Sequence, residues 1–494
     1  ARFKFTGYDA IVIKGRSAKP VYVYINDKEI KIEDATLLWC KSTVDTTENL
    51  KTQYAKTASV LSIGPAGENG VLYASVVVDG ARGFGRGGLG AIWGSKNLKA
   101  LVADGKSKPR IKEPNKLKNV VYEAQKAIKQ NPFTSQALPE LGSSFIIDVL
   151  NFEQALPFKN FSARQFSENL KTGSTALKKE ILEGTTSCWG CPIYCGRISR
   201  DDEGKIAEGP EFETIWALGP NLGINDLPLI QRFNRLSNEY GLDTISLGGV
   251  IAFAMEVTEK GIKDFGVRFG EIEKIEALIE QIARSKGIGQ ELKMGTRNLA
   301  QKIGKGAEYF AINVKGLELA AYDPRIFKGM AVVYATSNRG ACHLQGGYSA
   351  GSEIFGLPRR IDPKIQIGKG TLVAKRQNDS AAEDSLVVCR FASMSVSQEN
   401  WSRILRAVTG KPYTAKALSI IGERIHNLEK IINLKLGFTR SDDSLPPKLI
   451  EEDSGEEKIA LDNMLNEYYE FRGWDQEGIP GSKKIKELGL ENFL

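Results

Sequence analysis

Short β-branched runs fill the first hundred residues, and beyond them apolar positions recur every three or four residues, so strand patterning comes first and helix patterning follows. The runs "YDAIVIKG", "VYVYINDKEIKI", "VLSIGPAGENG" and "VLYASVVVDG" are punctuated by Gly, Asn and Asp, and the second folds about an Asn-Asp turn, which predicts a sheet between residues 8 and 105. At "GKSKPRIKEPN" (105–115) the chain becomes charged and proline-bearing, after which Leu117, Val120, Val121, Ala124 and Ile128 fall on one helical face. A further helix is signed at both ends: Asp226 as N-cap, Pro228 in the first turn, Leu229, Phe233, Leu236 and Tyr240 on one face, and Gly241 as terminator. "EKIEALIEQIARSKG" and "TRNLAQKIG" continue the helical pattern, and past residue 318 a Gly-rich stretch leads to "AKALSIIGERIHNLEKIINLK". The pattern predicts an α+β protein with a β-rich domain at 1–110 and mainly helical domains at 111–317 and 318–494.

The remaining composition narrows this picture. No run of 18 apolar residues occurs, so no membrane span is expected. The surplus of +7 comes from 67 basic against 60 acidic residues without a basic stripe, which argues against a nucleic-acid partner. Six cysteines in 494 residues, three of them clustered, fit metal ligation in a reducing compartment better than a disulfide framework, and point to the cytoplasm.

Those three, in "CWGCPIYC" (188–195), can converge on one metal centre because Gly190 and Pro192 supply turn chemistry. A structural zinc site keeps its fourth ligand close by, and no fourth Cys or His lies near. An iron–sulfur cluster closed by a distant cysteine is therefore preferred, with Cys389, Cys342 and Cys40 as the candidates; Cys40, in "LLWCKST", reads as a small buried hydrophobe. "ARGFGRGGLGAIWGSKNLKA" (81–100) offers backbone N–H groups and the guanidinium groups of Arg82 and Arg86 to an anion, or serves as a tight connection between strands. Of two histidines, His426 lies at the edge of an apolar helix stripe and reads as a packed boundary residue, whereas His343 sits in a Gly-flanked loop where chemistry tends to be placed. Glu213 reads as a first-turn helix carboxylate and Asp243 as an N-cap. "NEYGLD" (238–243) and "DSLVVC" (384–389) place polar groups at the same offsets.

Together "YDAIVI", "SIGPAGEN", "GRGGLGAIWGSKNLKA", "CWGCPIYCG", "GPEFETIWALGPNLGI", "NEYGLDTISLG", "YDPR", "TSNRGACH", "EDSLVVC", "RAVTGKPYT" and "EYYEFRGWDQEGIP" resemble, in order, segments of the tungsten-containing aldehyde ferredoxin oxidoreductase family. The resemblance implies a tungsten (or molybdenum) bispterin at the junction of the domains, one [4Fe-4S] cluster beside it, and a place for Mg. It implies Cys188, Cys191, Cys195 and Cys389 as cluster ligands. Pterin and phosphate contacts would fall on Arg82, Gly83, Gly85, Arg86, Asn238, Leu242, Asp243, Arg339, Asp384 and Val388, and Glu213, Tyr322 and His343 would face the metal. Asn238 stands where the family has Asp, and Val387 where it has Gly. A further sheet segment with a glycine-arginine motif, which the family carries ahead of "FTGYDAIVI", has no counterpart here, so the first domain is expected to be N-terminally incomplete.

The implied activity is oxidation of a small aldehyde to a carboxylic acid, electrons passing through the cluster to ferredoxin or a ferredoxin-like subunit, in a homo- or hetero-oligomer. Reduction of a carboxylate or aromatic thioester, and an electron-transfer subunit without the pterin, are the rival expectations.

Overall fold

The computed structural model describes residues 1–166, 170–452 and 455–493. As the patterning predicts, the fold is α+β: a small N-terminal sheet precedes a mainly helical remainder, and about 49% of the chain is helical. Two compact units are each assembled from separate stretches: Ala1–Arg110, Leu141–Val149 and Phe158–Glu308 form the first, and Ile111–Glu140, Leu150–Pro157 and Tyr309–Leu494 the second.

In the first unit β1 (Val21–Ile25), β2 (Ile30–Asp34), β3 (Ser59–Ser62), β4 (Val76–Val78), β5 (Arg82–Phe84) and β6 (Leu98–Ala103) lie in the order β2-β1-β6-β3-β4-β5. The predicted hairpin forms β1 and β2, with Val21 opposite Asp34. Its turn is closed by Asn26 Oδ1, which accepts the N–H groups of Lys28 at 2.8 Å and Glu29 at 2.9 Å. β6 runs parallel to β1 in the middle of the sheet, and all six of its residues are buried, as its unbroken apolar run requires. Alternate side chains go to opposite faces. Tyr22, Tyr24, Leu50, Val60 and Val102 make one cluster, and Val23, Ile25, Leu98 and Leu101 the other.

"YDAIVI" forms no strand: among the described residues, residues 8–13 join neither edge of the sheet, β2 nor β5. A strand exists only where a partner takes its backbone hydrogen bonds, so this apolar run stays irregular, with Val12 79% exposed.

The signed helix is Leu227–Tyr240: Asp226 accepts from Leu229 N at 3.0 Å, and Gly241 ends the helix in the left-handed region at φ 74°. Asp243 then caps the next helix, Thr244–Glu259, by accepting from Ile245 N at 3.1 Å. That helix is apolar on nearly every face and forms the centre of the first unit.

The second unit contains helix Pro114–Gln130, with Val120, Ala124 and Ile128 buried, and the helices Lys369–Ser385, Ala415–Lys435 and Leu461–Arg472. His426 is fully buried between them, in a polar network rather than at a boundary. Its Nε2 lies 2.9 Å from Tyr468 Oη, which donates to Gln377 Oε1 at 2.6 Å and accepts from Arg472 Nε at 3.0 Å. Among the described residues no helix is long and apolar enough to cross a membrane.

Candidate functional site

The glycine loop of the first unit has two kinds of glycine. A Cβ on Gly94 would meet Gly67 O at 1.9 Å, and one on Gly90 would meet Ser75 O at 2.5 Å, so these two serve backbone packing. A Cβ on Gly85 would find its nearest atom, Asp243 Oδ1, only at 4.0 Å, and one on Gly83 would come no closer than 3.6 Å to anything. A Cβ would therefore be accommodated at Gly83 and Gly85 without a clash, with the Asp243 carboxylate beside Gly85.

The two arginines of the loop take different partners. Arg86 Nε lies 3.4 Å from Asp243 Oδ2, and both side chains are buried. Asp243 thus serves as helix cap and ion-pair partner together. Arg82 donates to Glu211 Oε1 at 2.8 Å and pairs with Glu208. Burial opposes its charge, but Glu211, Glu208 and the nearby Cys188 outweigh this and hold the guanidinium pKa above its ordinary value. Burial in turn raises Glu208, against the pull of Arg82. Ser143 completes the group by donating to Glu211 while accepting from Phe212 N at 3.0 Å. Glu208 and Glu211 escaped the sequence reading; their signal was an acidic pair three apart just ahead of a helix start.

The three clustered cysteines lie in the connection of a hairpin, between β7 (Leu182–Thr186) and β8 (Gly196–Arg200). Cys191 N bonds to Cys188 O at 3.0 Å, and Gly190 (φ 70°) and Tyr194 (φ 55°) take the left-handed conformations that turn the loop. Cys188 is exposed, and Cys191 and Cys195 are half-buried. Trp189 leans edge-on against Phe5 with ring centres 5.6 Å apart. Among the described residues no three Cys, His, Asp or Glu side chains stand close enough to hold a single metal ion. Cys40 is exposed, not buried as expected, because its φ of 67° turns it out after its N–H has bonded to Glu68 at 2.8 Å. Cys342 is the buried one.

The two turns that looked alike in sequence are alike in conformation. Leu242 N bonds to Ser237 O at 2.8 Å and Val388 N to Glu383 O at 3.0 Å, the same six-residue closure after a helix. Gly241 and Val387 occupy the same left-handed position, at φ 74° and 57°. For a β-branched residue this costs about 1–2 kcal/mol, which Gly241 avoids. In the first turn Gly241 O accepts from Ser75 N at 2.8 Å and Asp243 N bonds to Tyr73 O at 3.0 Å, while Asn238 O accepts from Thr43. In the second, Asp384 is half exposed, 3.8 Å from Arg390, and Cys389 is exposed at the start of helix Arg390–Ser393.

Tyr322 and His343 come together in the second unit. Tyr322 is 1% exposed and His343 7%, with ring centres 5.7 Å apart. Tyr348, which the sequence reading missed, joins them: its Oη lies 3.0 Å from Tyr322 Oη and its N–H bonds to His343 O at 3.0 Å. Arg339, on the same loop, is exposed and donates to Cys342 Sγ at 2.8 Å. Glu213 lies in the first turn of helix Phe212–Leu218, where a carboxylate suits the helix dipole, and belongs to the first unit.

The α+β chain thus carries an arginine–glycine loop, a cysteine hairpin and a buried Tyr–His–Tyr group. The chain belongs to the aldehyde ferredoxin oxidoreductase family: the N-terminal domain of that family matches residues 1–105, and its domains 2 and 3 match residues 119–490. The tungsten-containing aldehyde ferredoxin oxidoreductase of Pyrococcus horikoshii is 39% identical over 511 residues, covering 100% of this chain and 84% of that protein. Its counterpart from Thermococcus kodakarensis is 38% identical over the same shares. The WOR-like subunit of an aliphatic sulfonate oxidoreductase from Pyrococcus furiosus is 28% identical, covering 99% of this chain and 81% of the relative. The active-site complex BamBC of benzoyl coenzyme A reductase, solved with 1,5-dienoyl-CoA, shares the fold at TM-score 0.86 with 24% identity, over 100% of this chain and 82% of its own. The chain is an oxidoreductase of this family.

Proposed function

We propose that the protein oxidises an aldehyde to a carboxylic acid, RCHO + H2O → RCOOH + 2 H+ + 2 e−, at a tungsten (or molybdenum) bispterin, and passes the electrons through a [4Fe-4S] cluster held by Cys188, Cys191, Cys195 and Cys389 to ferredoxin. The observation that carries this reading is the buried imidazole of His343 packed beside the phenols of Tyr322 and Tyr348, whose hydroxyls lie 3.0 Å apart. Such a group can polarise a carbonyl oxygen and hand over a proton without admitting bulk water.

The donor set of the glycine loop fits the cofactor. Phosphate oxygens require guanidinium and backbone N–H donors, a pterin edge requires a carboxylate acceptor, and Arg86, Asp243 and the uncrowded glycines Gly83 and Gly85 offer these together. Arg82, between the acidic pair and Cys188, would join the pterin region to the cluster. Asn238, Leu242, Arg339, Asp384 and Val388 would complete the pterin contacts, and Mg would supply charge to offset the phosphates. When bound, the group would supply the two-electron acceptor that the oxidation requires.

The chain's own residues supply the rest. Glu213 takes the proton of the water that adds to the carbonyl carbon, His343 hydrogen-bonds the carbonyl oxygen, and Tyr322, fixed by Tyr348, orients that oxygen. Expression in a host able to make the cofactor, followed by elemental analysis, pterin analysis and dye-linked oxidation of several aldehydes, tests the reading. Tungsten or molybdenum with two pterins per site and aldehyde turnover is the expected result. Metal and pterin without aldehyde turnover would replace it by the reductive reaction on a carboxylate or thioester, and iron without either by an electron-transfer subunit.

A further inference from the structure

Helix Ala415–Lys435 carries, beside its apolar face, a polar stripe of His426, Glu429 and Asn433, spaced three and four apart so that all three share one side. The stripe grips the segment 337–345, which carries Arg339, Cys342 and His343. Asn338 lies at its centre. Its Nδ2 is 3.1 Å from Glu429 Oε2, 3.0 Å from His426 O and 3.3 Å from His426 Nδ1, and its carbonyl accepts from Asn433 Nδ2 at 2.6 Å. At the far end Gln345 Nε2 donates to the same Glu429 oxygen at 2.8 Å, while its Oε1 accepts from Ser337 Oγ at 2.9 Å. One carboxylate therefore closes the segment into a loop by holding both ends.

The electrostatics agree with this geometry. Burial raises the pKa of Glu429, while Asn338, Gln345 and Arg339 favour its charge and Asp384 opposes it. Arg339 and Asp384, whose charges act on this carboxylate, are among the candidate pterin contacts. We infer that Glu429 is a positioning residue for the active site: through Asn338 and Gln345 it fixes the loop that presents Arg339 to the cofactor and His343 to the substrate. The role assigned to His343 rests on the proposed function, whereas the pinning of the loop does not.

Hydrogen exchange and steady-state kinetics on the holoenzyme and its Glu429→Ala, Glu429→Gln and Gln345→Ala variants test this. Hydrogen bonds to a charged acceptor are worth about 10- to 100-fold in local opening, so amides of 337–345 should exchange at least about tenfold faster in Glu429→Ala. Amides of helix Leu461–Arg472 should stay as in the wild type. The amide oxygen of Glu429→Gln still accepts from both partners, so that variant should recover most of the protection. In Glu429→Ala kcat should fall with little change in the aldehyde KM, and Glu429→Gln should restore it. Unchanged exchange in the loop, or equally faster exchange throughout the second unit, would overturn the inference. If Glu429→Ala does not fold, Gln345→Ala, at a half-buried position, must show the same localised exchange for the inference to stand. A wild type without aldehyde turnover would remove the proposed reaction and leave the exchange result to decide the clamp.

Discussion

Lowering the pH should destabilise the chain through His426. Burial, followed by Arg472, Lys430 and Lys315, holds its imidazole well below the ordinary value of about 6.5. The hydrogen bonds lead the same way. Tyr468 Oη gives its own proton to Gln377, so it accepts from His426 Nε2–H, while Nδ1 faces the Asn338 amide nitrogen and must accept. A second ring proton would point at a donor. In the unfolded chain the ring titrates near 6.5. Above that pH neither state carries the proton and stability is complete. Below it the unfolded state binds a proton that the folded state refuses, so stability falls as pH falls, by up to about 1.4 kcal/mol per unit until the depressed folded value is reached. Between about pH 7.5 and 5.5 the loss comes to about 1.4 kcal/mol. Glu429, Glu383 and Asp379, which burial raises, contribute in the opposite direction, and Glu383 and Asp379 do so in a His426→Asn variant as well. The difference between wild type and variant therefore reports the ring together with Glu429, with which it shares Asn338. Urea unfolding of both proteins at about pH 7.5, 6.5 and 5.5 gives that difference. The chain has only two histidines, so a histidine-labelled NMR sample yields two ring signals to follow directly. A His426 signal with a midpoint near 6.5, or parallel stability curves for the two proteins, would refute the reasoning.

The other predictions concern the chemistry and the two kinds of glycine. Glu213→Gln and His343→Asn should each cost about 10² to 10⁴ in aldehyde turnover at matched metal content with the cluster intact; wild-type rates in Glu213→Gln would reduce it to a helix-start carboxylate. Cys389→Ser should lower iron content and weaken the reduced-state EPR signal while Cys342→Ser leaves both intact, and the reverse pattern would move the fourth ligand to Cys342. Gly94→Ala should cost about 3 kcal/mol or more, since its Cβ would fall 1.9 Å from a backbone oxygen, and a thermal midpoint near the wild-type value would contradict the packing. Gly85→Ala meets nothing closer than 4.0 Å, so it should keep that midpoint but bind less pterin, and full pterin content would remove Gly85 from the cradle.

What the sequence could determine by itself was whatever is closed by near neighbours. Asp226, Gly241 and Asp243 mark helix ends through bonds spanning a few residues, and the Asn26 turn, the cysteine hairpin and the paired turns at 238–243 and 384–389 are equally local. The order of segments sufficed to place the chain in its family, because eleven short patterns in series rarely recur by chance. Tertiary structure alone decided the rest. "YDAIVI" has the composition of a strand but no partner, and Cys40, expected to be buried, is exposed because backbone direction, not side-chain type, sets whether it faces solvent. Arg82 meets Glu208 and Glu211, Tyr322 meets Tyr348, and Asn338 meets Glu429 across 126, 129, 26 and 91 positions of chain. Contacts at such separations depend on how loops close and which faces pack, and neither leaves a periodic trace in the sequence. His426 shows the division most plainly: its place on an amphipathic helix was readable, but whether the ring would meet solvent, apolar side chains or Tyr468 and Asn338 was fixed only when the neighbouring helices packed around it.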